Sequence, residues 1–305
     1  MQTTRTFSAP DGIGYNRYRF ARDVNRILMH LFAILISLSA IIPFVISMSA
    51  SFSSETSLSK FGYSLFPREI SMAAYQLIWK APEDLIRSYG VTLFVTVAGT
   101  LLSLVVMTPF AYALSRDDFK LRSFLSLYMF VTMVFSGGLV PWYLLIKQYL
   151  HMSNTIWVMI IPFLVNGFTV IILRSNFASM PQEIVDAAKI DGAGEWRILG
   201  QIAAPMTAPT IAALAIFISL GFWNTYFPAL LFVDDRMLYP LQYTLYILQT
   251  NLEMFQKNPN ITGIVIPVVS LRYAMVVLIS LPIVFFVLFF QKYFVKGVYL
   301  GGMKE

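Results

Sequence analysis

The chain has 305 residues, of which 57% are hydrophobic and only 12% are charged, so it is too apolar for an ordinary soluble domain, where about a quarter are charged. It contains no Cys and two distant His residues, which excludes disulfides, thiolate metal sites and an HExxH zinc motif. The net charge of +6 comes from Lys and Arg dispersed in polar loops, a pattern that fits membrane topology better than nucleic-acid binding.

The N-terminal part predicts a polar segment followed by one membrane helix. Residues 1–26 are rich in Arg, and residues 27–52 form an apolar run longer than the roughly 7 to 15 residues of a signal-peptide core. We therefore predict a cytoplasmic segment over 1–26 and an uncleaved transmembrane helix, kinked at Pro43, after it. The region up to residue 85 is broken by prolines and predicts an external loop with a short helix over 72–79.

Five further apolar segments are long enough to span a bilayer. They cover residues 89–114, 121–146, 156–173, 211–227 and 273–290. The third contains Ser136-Gly137-Gly138, which either lets helices pack closely or opens backbone groups to a polar path, and we favour close packing. In the fourth, Pro162 and Gly167 permit bending. Residues 229–270 predict an external loop with a short helix around 243–255.

A polar island at residues 179–209 separates the fourth and fifth apolar runs. Ser179 and Gln182 fit a capping box, and Gly192 can supply the left-handed residue that ends a short helix. Trp196, Leu199 and Ile202 then resume helical spacing. Two short helices that meet at a bend and carry small residues on one face suit docking into a groove of another protein.

This island resembles the EAA loop of membrane subunits of ATP-binding-cassette (ABC) importers. The matching residues are Ala187, Ala188, Asp191, Gly192, Ala193, Ile202 and Pro205. Asp186 stands where the family usually has Glu, which keeps the charge with a shorter reach. The AYALSR run at 111–116 and the C-terminal tail resemble the sugar branch of these permeases, and residues 135–157 resemble its complex-oligosaccharide members.

The resemblance implies a type I ABC importer permease fold, all-α and integral to the membrane, with six transmembrane helices. It implies a core permease domain over 86–291, a cytoplasmic docking loop over 176–205 and a cytoplasmic tail over 292–305, with the first helix and external loop at 27–85. The ATPase-docking residues would be Glu183, Asp186, Ala187, Ala188, Asp191, Gly192 and Ala193. The protein would be a multi-pass, non-catalytic permease subunit of the bacterial inner membrane with both termini in the cytoplasm.

The resemblance also implies partners that supply the energy. The chain has no GxxxxGK[ST] phosphate loop, so we expect no cofactor in this chain, with ATP and Mg²⁺ bound by ABC ATPase subunits. The other expected partners are a second homologous permease, an external or periplasmic solute-binding protein and membrane lipids, with no nucleic acid. The expected cargo is a sugar, in particular an oligosaccharide, and acidic ones such as alginate fragments belong to the same branch.

The end of the fifth span combines aromatic and polar residues. Trp223, Asn224 and Tyr226 could be interfacial anchors, or they could line a sugar path, because aromatic faces stack on the C–H side of a pyranose while amides bind its hydroxyls. Both interpretations remain open at this stage.

Other classes of protein fit the sequence less well. An ion-gradient secondary transporter or channel is the main alternative, but such proteins place ionisable residues inside their spans, and none is clearly central here. A membrane-embedded assembly factor without transport is a further alternative, and copurification of a P-loop ATPase with this protein would argue against it. An intramembrane enzyme is the weakest alternative, because no paired carboxylates, Ser/His pair or metal ligands occupy a span.

Overall fold

The computed structural model describes residues 12–80, 82–257 and 267–302. Apart from one isolated bridge between Ser53 and Ile70, the described residues contain no β-structure, which confirms the all-α prediction. The helices are α1 (Gly12–Ser51), α2 (Glu55–Phe61), α3 (Ala73–Lys80), α4 (Pro82–Ser115), α5 (Arg122–Val134), α6 (Leu139–Leu144), α7 (Gly167–Ala178), α8 (Gln182–Ile190), α9 (Glu195–Ile198), α10 (Ala204–Trp223), α11 (Phe227–Phe232), α12 (Leu241–Lys257) and α13 (Val268–Gly302).

Four of the spans are long apolar helices and two are bent pairs. The long helices cover Val24–Ser51, Pro82–Ser115, Glu195–Trp223 and Val268–Phe290. The pairs are α5 with Leu139–Tyr149, bent by 112°, and Ile156–Phe163 with α7, bent by 46°. A bilayer core of about 30 Å takes about 20 helical residues to cross, so six crossings result when each pair counts as one.

The third span differs from its prediction as one helix over 121–146. After 13 residues, or about 20 Å, α5 ends and the chain turns at Gly138, whose φ is +85°. A Cβ atom on Gly137 or Gly138 would meet no atom of the described residues within 4 Å, so the favoured close-packing interpretation is wrong. Gly138 serves the turn instead, because its positive φ is costly for any residue with a side chain.

The fourth span bends between Pro162 and Gly167, as predicted. The fifth does not begin at residue 211, because one continuous helix runs from Glu195 to Trp223. A π-helical turn over Leu199–Ala203 changes the hydrogen-bond pattern just before Pro205, which lets the helix pass a residue that has no N–H group. The second short helix predicted in the polar island and the predicted fifth span are therefore parts of one helix.

Helix α4 lies at the centre of the bundle and packs on α7 and α10. It approaches α10 closely, since a Cβ atom on Gly99 would lie 2.7 Å from the ring of Phe222. Polar contacts join its N-terminal part to the neighbouring helices: the Thr92 hydroxyl accepts a 2.8 Å hydrogen bond from the Leu241 amide, and the Tyr89 hydroxyl donates one of 2.6 Å to the Leu278 carbonyl. Such contacts satisfy polar groups that lipid cannot.

Short helices cover the end of the bundle where α12 lies. The predicted helices over 72–79 and 243–255 are confirmed as α3 and α12, whereas α2 and α11 were not predicted. The Glu55 carboxylate, at the start of α2, accepts hydrogen bonds of 3.1 and 3.3 Å from the amides of Val269 and Ser270. A carboxylate stabilises the N-terminus of α13 because the first amides of a helix lack partners and carry partial positive charge.

Parts of the predicted terminal and loop segments lie outside the described residues. These parts are residues 1–11 of the basic N-terminal segment, residue 81 of the first external loop, residues 258–266 of the second external loop and residues 303–305 of the tail. Helix α13 continues to Gly302, so the helical backbone extends well past the predicted end of the sixth span at residue 290.

Candidate docking loop and solute cleft

The polar island folds into α8, a tight turn and α9. Gly192 has a φ of +79°, which confirms the predicted left-handed stop, and its amide donates a 3.0 Å hydrogen bond to the Lys189 carbonyl. The predicted capping box is wrong. The Ser179 hydroxyl donates to the Asn176 carbonyl at the end of α7, and Pro181 precedes α8 without a side-chain cap. We keep the name docking loop for residues 182–198, which are the central part of the predicted range 176–205.

One face of the docking loop is buried against the bundle. Val185 and Ala188 pack into a core cluster with residues of α4 and α7, and Ala193 is half-buried beside them. The other predicted docking residues, Glu183, Asp186, Ala187, Asp191 and Gly192, are exposed. Ala188 and Ala193 therefore hold the loop on the protein, and the remaining five form the surface that a partner can reach.

Two large apolar side chains on this surface were not among the predicted docking residues. Ile190 is 87% exposed and Trp196 is 78% exposed, one on each side of the Gly192 turn. Large apolar groups on a polar loop mark an interaction surface, because water solvates them poorly. The signal in the sequence was Trp196 itself, an aromatic residue within a polar island.

An ionic network attaches the docking loop to the end of α4. The Lys189 ammonium lies 2.9 Å from a carboxylate oxygen of Asp118 and 2.9 Å from one of Glu195. The Tyr112 hydroxyl, on α4, donates a 2.9 Å hydrogen bond to Glu195, and Arg116 lies 3.4 Å from Asp118. We call these five residues the Lys189 network, which sequence reasoning missed because its members are far apart in the chain.

The network shifts the proton affinities of its exposed members. The hydrogen bond from Lys189 holds the pKa of Asp118 below its usual value of 3.8. The hydrogen bond to Asp118, followed by that to Glu195, raises the pKa of Lys189 above its usual 10.5. Both shifts favour the charged forms, so the contact persists at neutral pH.

A cleft lies at the other end of α10. Its volume is about 570 Å³, and it is lined by residues of α4, α7, α10 and α11 and of the segments that precede α7 and α11. Most lining groups are apolar, and the polar side chains among them are Ser103, Asn166, Thr169, Asn224, Thr225 and Tyr226. Among the described residues that line the cleft, none is Asp, Glu, Lys or Arg. The cleft can therefore form hydrogen bonds and apolar contacts but no ion pair from this chain.

Two of the three predicted path residues line this cleft. They are Asn224 and Tyr226, and the Asn224 amide oxygen accepts a 3.1 Å hydrogen bond from Gln242. Trp223 is 7% exposed and packs with Leu241 and Met275, away from the cleft. Trp223 lies away from the cleft because it is the last residue of α10, and the helix directs its side chain towards α13. Residues 224–226 follow the end of the helix.

The described residues hold no group of three or more His, Asp or Glu side chains that could bind a metal ion.

Residues 106–299 match the family described as binding-protein-dependent transport system inner membrane component, and the chain belongs to this family. It is a multi-pass membrane permease. Protein LplC of Bacillus subtilis (strain 168) is 35% identical over 87% of this chain and 89% of its own length. A polygalacturonan/rhamnogalacturonan transport system permease protein, YtcP, from the same strain is 31% identical over 91% of this chain and 97% of its own.

A solved structure has the same fold over nearly the whole chain. It is a chain in the crystal structure of a bacterial ABC transporter involved in the import of the acidic polysaccharide alginate. The TM-score is 0.77 with 27% sequence identity, and the similarity covers 95% of this chain and 100% of that chain. The predicted resemblance to ABC importer permeases is confirmed.

Proposed function

We propose that this protein is the membrane-spanning subunit of an ATP-driven, binding-protein-dependent importer of oligosaccharides. The observation that carries the proposal is the docking loop, which is buried on one face and presents Ile190 and Trp196 on the other. The names of the relatives YtcP and the alginate importer support a sugar polymer as the source of the cargo. Family membership argues against the alternative of an ion-gradient transporter or channel.

The proposed partners are inferred from the missing phosphate loop and from the exposed docking surface of this chain. Its sequence has no phosphate loop, so ABC ATPase subunits would bind the docking loop and hydrolyse ATP with Mg²⁺. The docking surface would consist of Glu183, Asp186, Ala187, Asp191 and Gly192 together with Ile190 and Trp196. A second permease would complete the translocation path, and an external solute-binding protein would deliver the sugar. The complex would lie in the bacterial inner membrane with both termini of this chain in the cytoplasm.

The mechanism we propose uses α9 and α10 as one lever. The helix from Glu195 to Trp223 has 29 residues and is about 43 Å long, and it connects the docking loop to the cleft. The Lys189 network also joins the loop to α4, so the loop and two spans would move together. ATP drives such a change only if it binds one conformation of the complex better than the other.

The cleft chemistry bears on the cargo. Asn224 would contact a sugar by hydrogen bonding and Tyr226 by stacking. This chain would thus form half of the translocation path, and the second permease would form the other half. A uronate such as an alginate fragment would find no cation here among the described lining residues, and burying an unpaired charge is costly. Import of an acidic oligosaccharide would therefore draw its cationic partners from the second permease.

The test is the attachment of the ATPase. Replacing both Ile190 and Trp196 by Ser removes the apolar part of the docking surface without touching the buried face, so the ATPase should no longer copurify and ATP-dependent uptake should be lost. Met237→Ser is a matched control, because Met237 is also exposed but lies between α11 and α12. Undiminished ATPase recovery with the double variant would contradict the proposed docking surface.

A further inference from the structure

A row of aromatic rings includes part of the cleft lining and continues onto α12. Successive ring centroids lie 6.5, 6.3, 5.9, 6.3 and 4.7 Å apart. In order, the rings belong to Trp142, Phe227, Tyr226, Tyr246, Tyr243 and Tyr239. We call this set the aromatic row.

The aromatic row extends beyond the cleft. Phe227 and Tyr226 line the cleft, whereas Tyr246 belongs to α12 and is not part of its lining. Tyr226 and Tyr246 are both 42% exposed and their rings are tilted by 31°. Tyr243, the next ring, is buried and stacks on Tyr246 at an interplanar angle of 15°. The exposed ring of Tyr246 is thus supported on one side by the buried ring of Tyr243.

Amide side chains accompany the row on α12. Gln242 and Gln249 are four residues before and three residues after Tyr246, which places both on its side of the helix. Gln242 also donates to the amide oxygen of Asn224, a residue that lines the cleft. The hydrogen-bonding groups therefore continue from the cleft to Tyr246 alongside the aromatic faces.

We propose that Tyr246 is an outer sugar-binding subsite, an inference that rests on the proposed oligosaccharide import. Its ring stacks on the C–H face of a pyranose, and the amides of Gln242 and Gln249 bind the hydroxyls of that sugar. A monosaccharide in the cleft does not contact Tyr246, whereas a chain of linked sugars contacts the cleft and Tyr246 together. Tyr246 accordingly selects for the length of the cargo.

The experiment measures uptake as a function of chain length in the complete reconstituted importer. The probes are glucose with its (1→4)-linked oligosaccharides and galacturonate with its (1→4)-linked oligosaccharides, each from the monosaccharide to the hexasaccharide. In Tyr246→Ala, the KM for the oligosaccharides of the transported series rises about 2- to 10-fold, the effect of one aromatic contact, while kcat and monosaccharide uptake stay unchanged. Tyr246→Phe keeps the ring and behaves as wild type.

Tyr149→Ala is the matched control, because Tyr149 is 76% exposed and does not belong to the aromatic row. Its uptake should equal that of the wild type at every length. An equal loss at all lengths in Tyr246→Ala, or no loss at any length, overturns the subsite while import itself stands. A wild-type importer that moves neither series overturns both the proposed function and the subsite.

Discussion

Gly192 and Gly194 lie two residues apart in the docking loop but have different backbone requirements. Gly192 has a φ of +79°, whereas Gly194 has a φ of −72°, which any residue adopts. In the part of the chain that the structure describes, no atom lies within 4 Å of a Cβ atom built at either position. The same substitution at the two sites therefore differs only in backbone strain, which costs about 1–2 kcal/mol at a left-handed position.

We predict that Gly192→Ala weakens the turn and lowers coupled uptake, and that Gly192→Pro abolishes it, because proline fixes φ near −65°. Membrane insertion should be normal in both, since Val185 and Ala188 still hold the loop on the bundle. Uptake and ATP hydrolysis by the reconstituted complex measure the effect. Gly194→Ala should match the wild type, and equal behaviour of the two alanine variants would remove the role given to Gly192.

Lys189 forms an ion pair that connects the docking loop to Asp118, three residues after the end of α4. The pKa of Asp118 is lowered, so the stability that its charge contributes is present above the ordinary carboxyl value and is lost as pH falls through the lower folded value. The pKa of Lys189 is raised, so its contribution is present below its ordinary value and is lost as pH rises through the higher folded value. The contact therefore holds from about pH 4 to pH 10.

We predict that Lys189→Met raises the ATP hydrolysed per sugar imported by about two- to fivefold, because exposed ion pairs contribute about 0.2–1 kcal/mol each. Lys189→Arg should retain most of the coupling. In the wild type, the ATP hydrolysed per sugar imported should be constant between about pH 6 and pH 8. It should rise with added salt, because salt screens exposed charges. A ratio that Lys189→Met leaves unchanged would show that the network plays no part in coupling.

At the scale of helices, the packing of α4 on α10 depends on Gly99, which has no side chain. A Cβ atom on Gly99 would lie 2.7 Å from the buried ring of Phe222, so the ring or the two helices would have to shift. Gly99→Ala should cost about 1–3 kcal/mol and lower the melting temperature of the purified protein. Gly90→Ala, on the same helix but in open space, should be neutral or slightly stabilising. Similar melting temperatures for the two variants would contradict this packing.

The helices that could be predicted are those whose pattern is local. Short runs with polar borders indicated α3 and α12, and a single glycine indicated the end of α8. The start of the fifth span could not be found, because residues near a membrane surface are polar whether the backbone is helical or not. The π-helical turn before Pro205 was equally invisible, since it depends on backbone hydrogen bonds that side-chain patterns do not report.

At the scale of the whole molecule, the apolar segments predicted the number of membrane crossings but not the 112° bend within one of them. Ser136-Gly137-Gly138 predicted either close packing or backbone groups open to a polar path, whereas the φ of Gly138 and the 112° bend show a turn at this point. The candidate site was predictable as a loop because its residues are contiguous. The Lys189 network and the cleft were not, because tertiary structure assembles them from distant segments.

The absence of Cys makes the arrangement of the whole molecule directly measurable, because a membrane-impermeant maleimide reports only on an introduced cysteine. Trp196→Cys tests the docking side and Met237→Cys the opposite side, since both side chains are largely exposed. In right-side-out spheroplasts, Met237→Cys should be labelled and Trp196→Cys should not. In inverted vesicles stripped of ATPase, Trp196→Cys should be labelled, and added ATPase should protect it. Labelling of Trp196→Cys from the outside, or labelling that the ATPase does not change, would contradict the account.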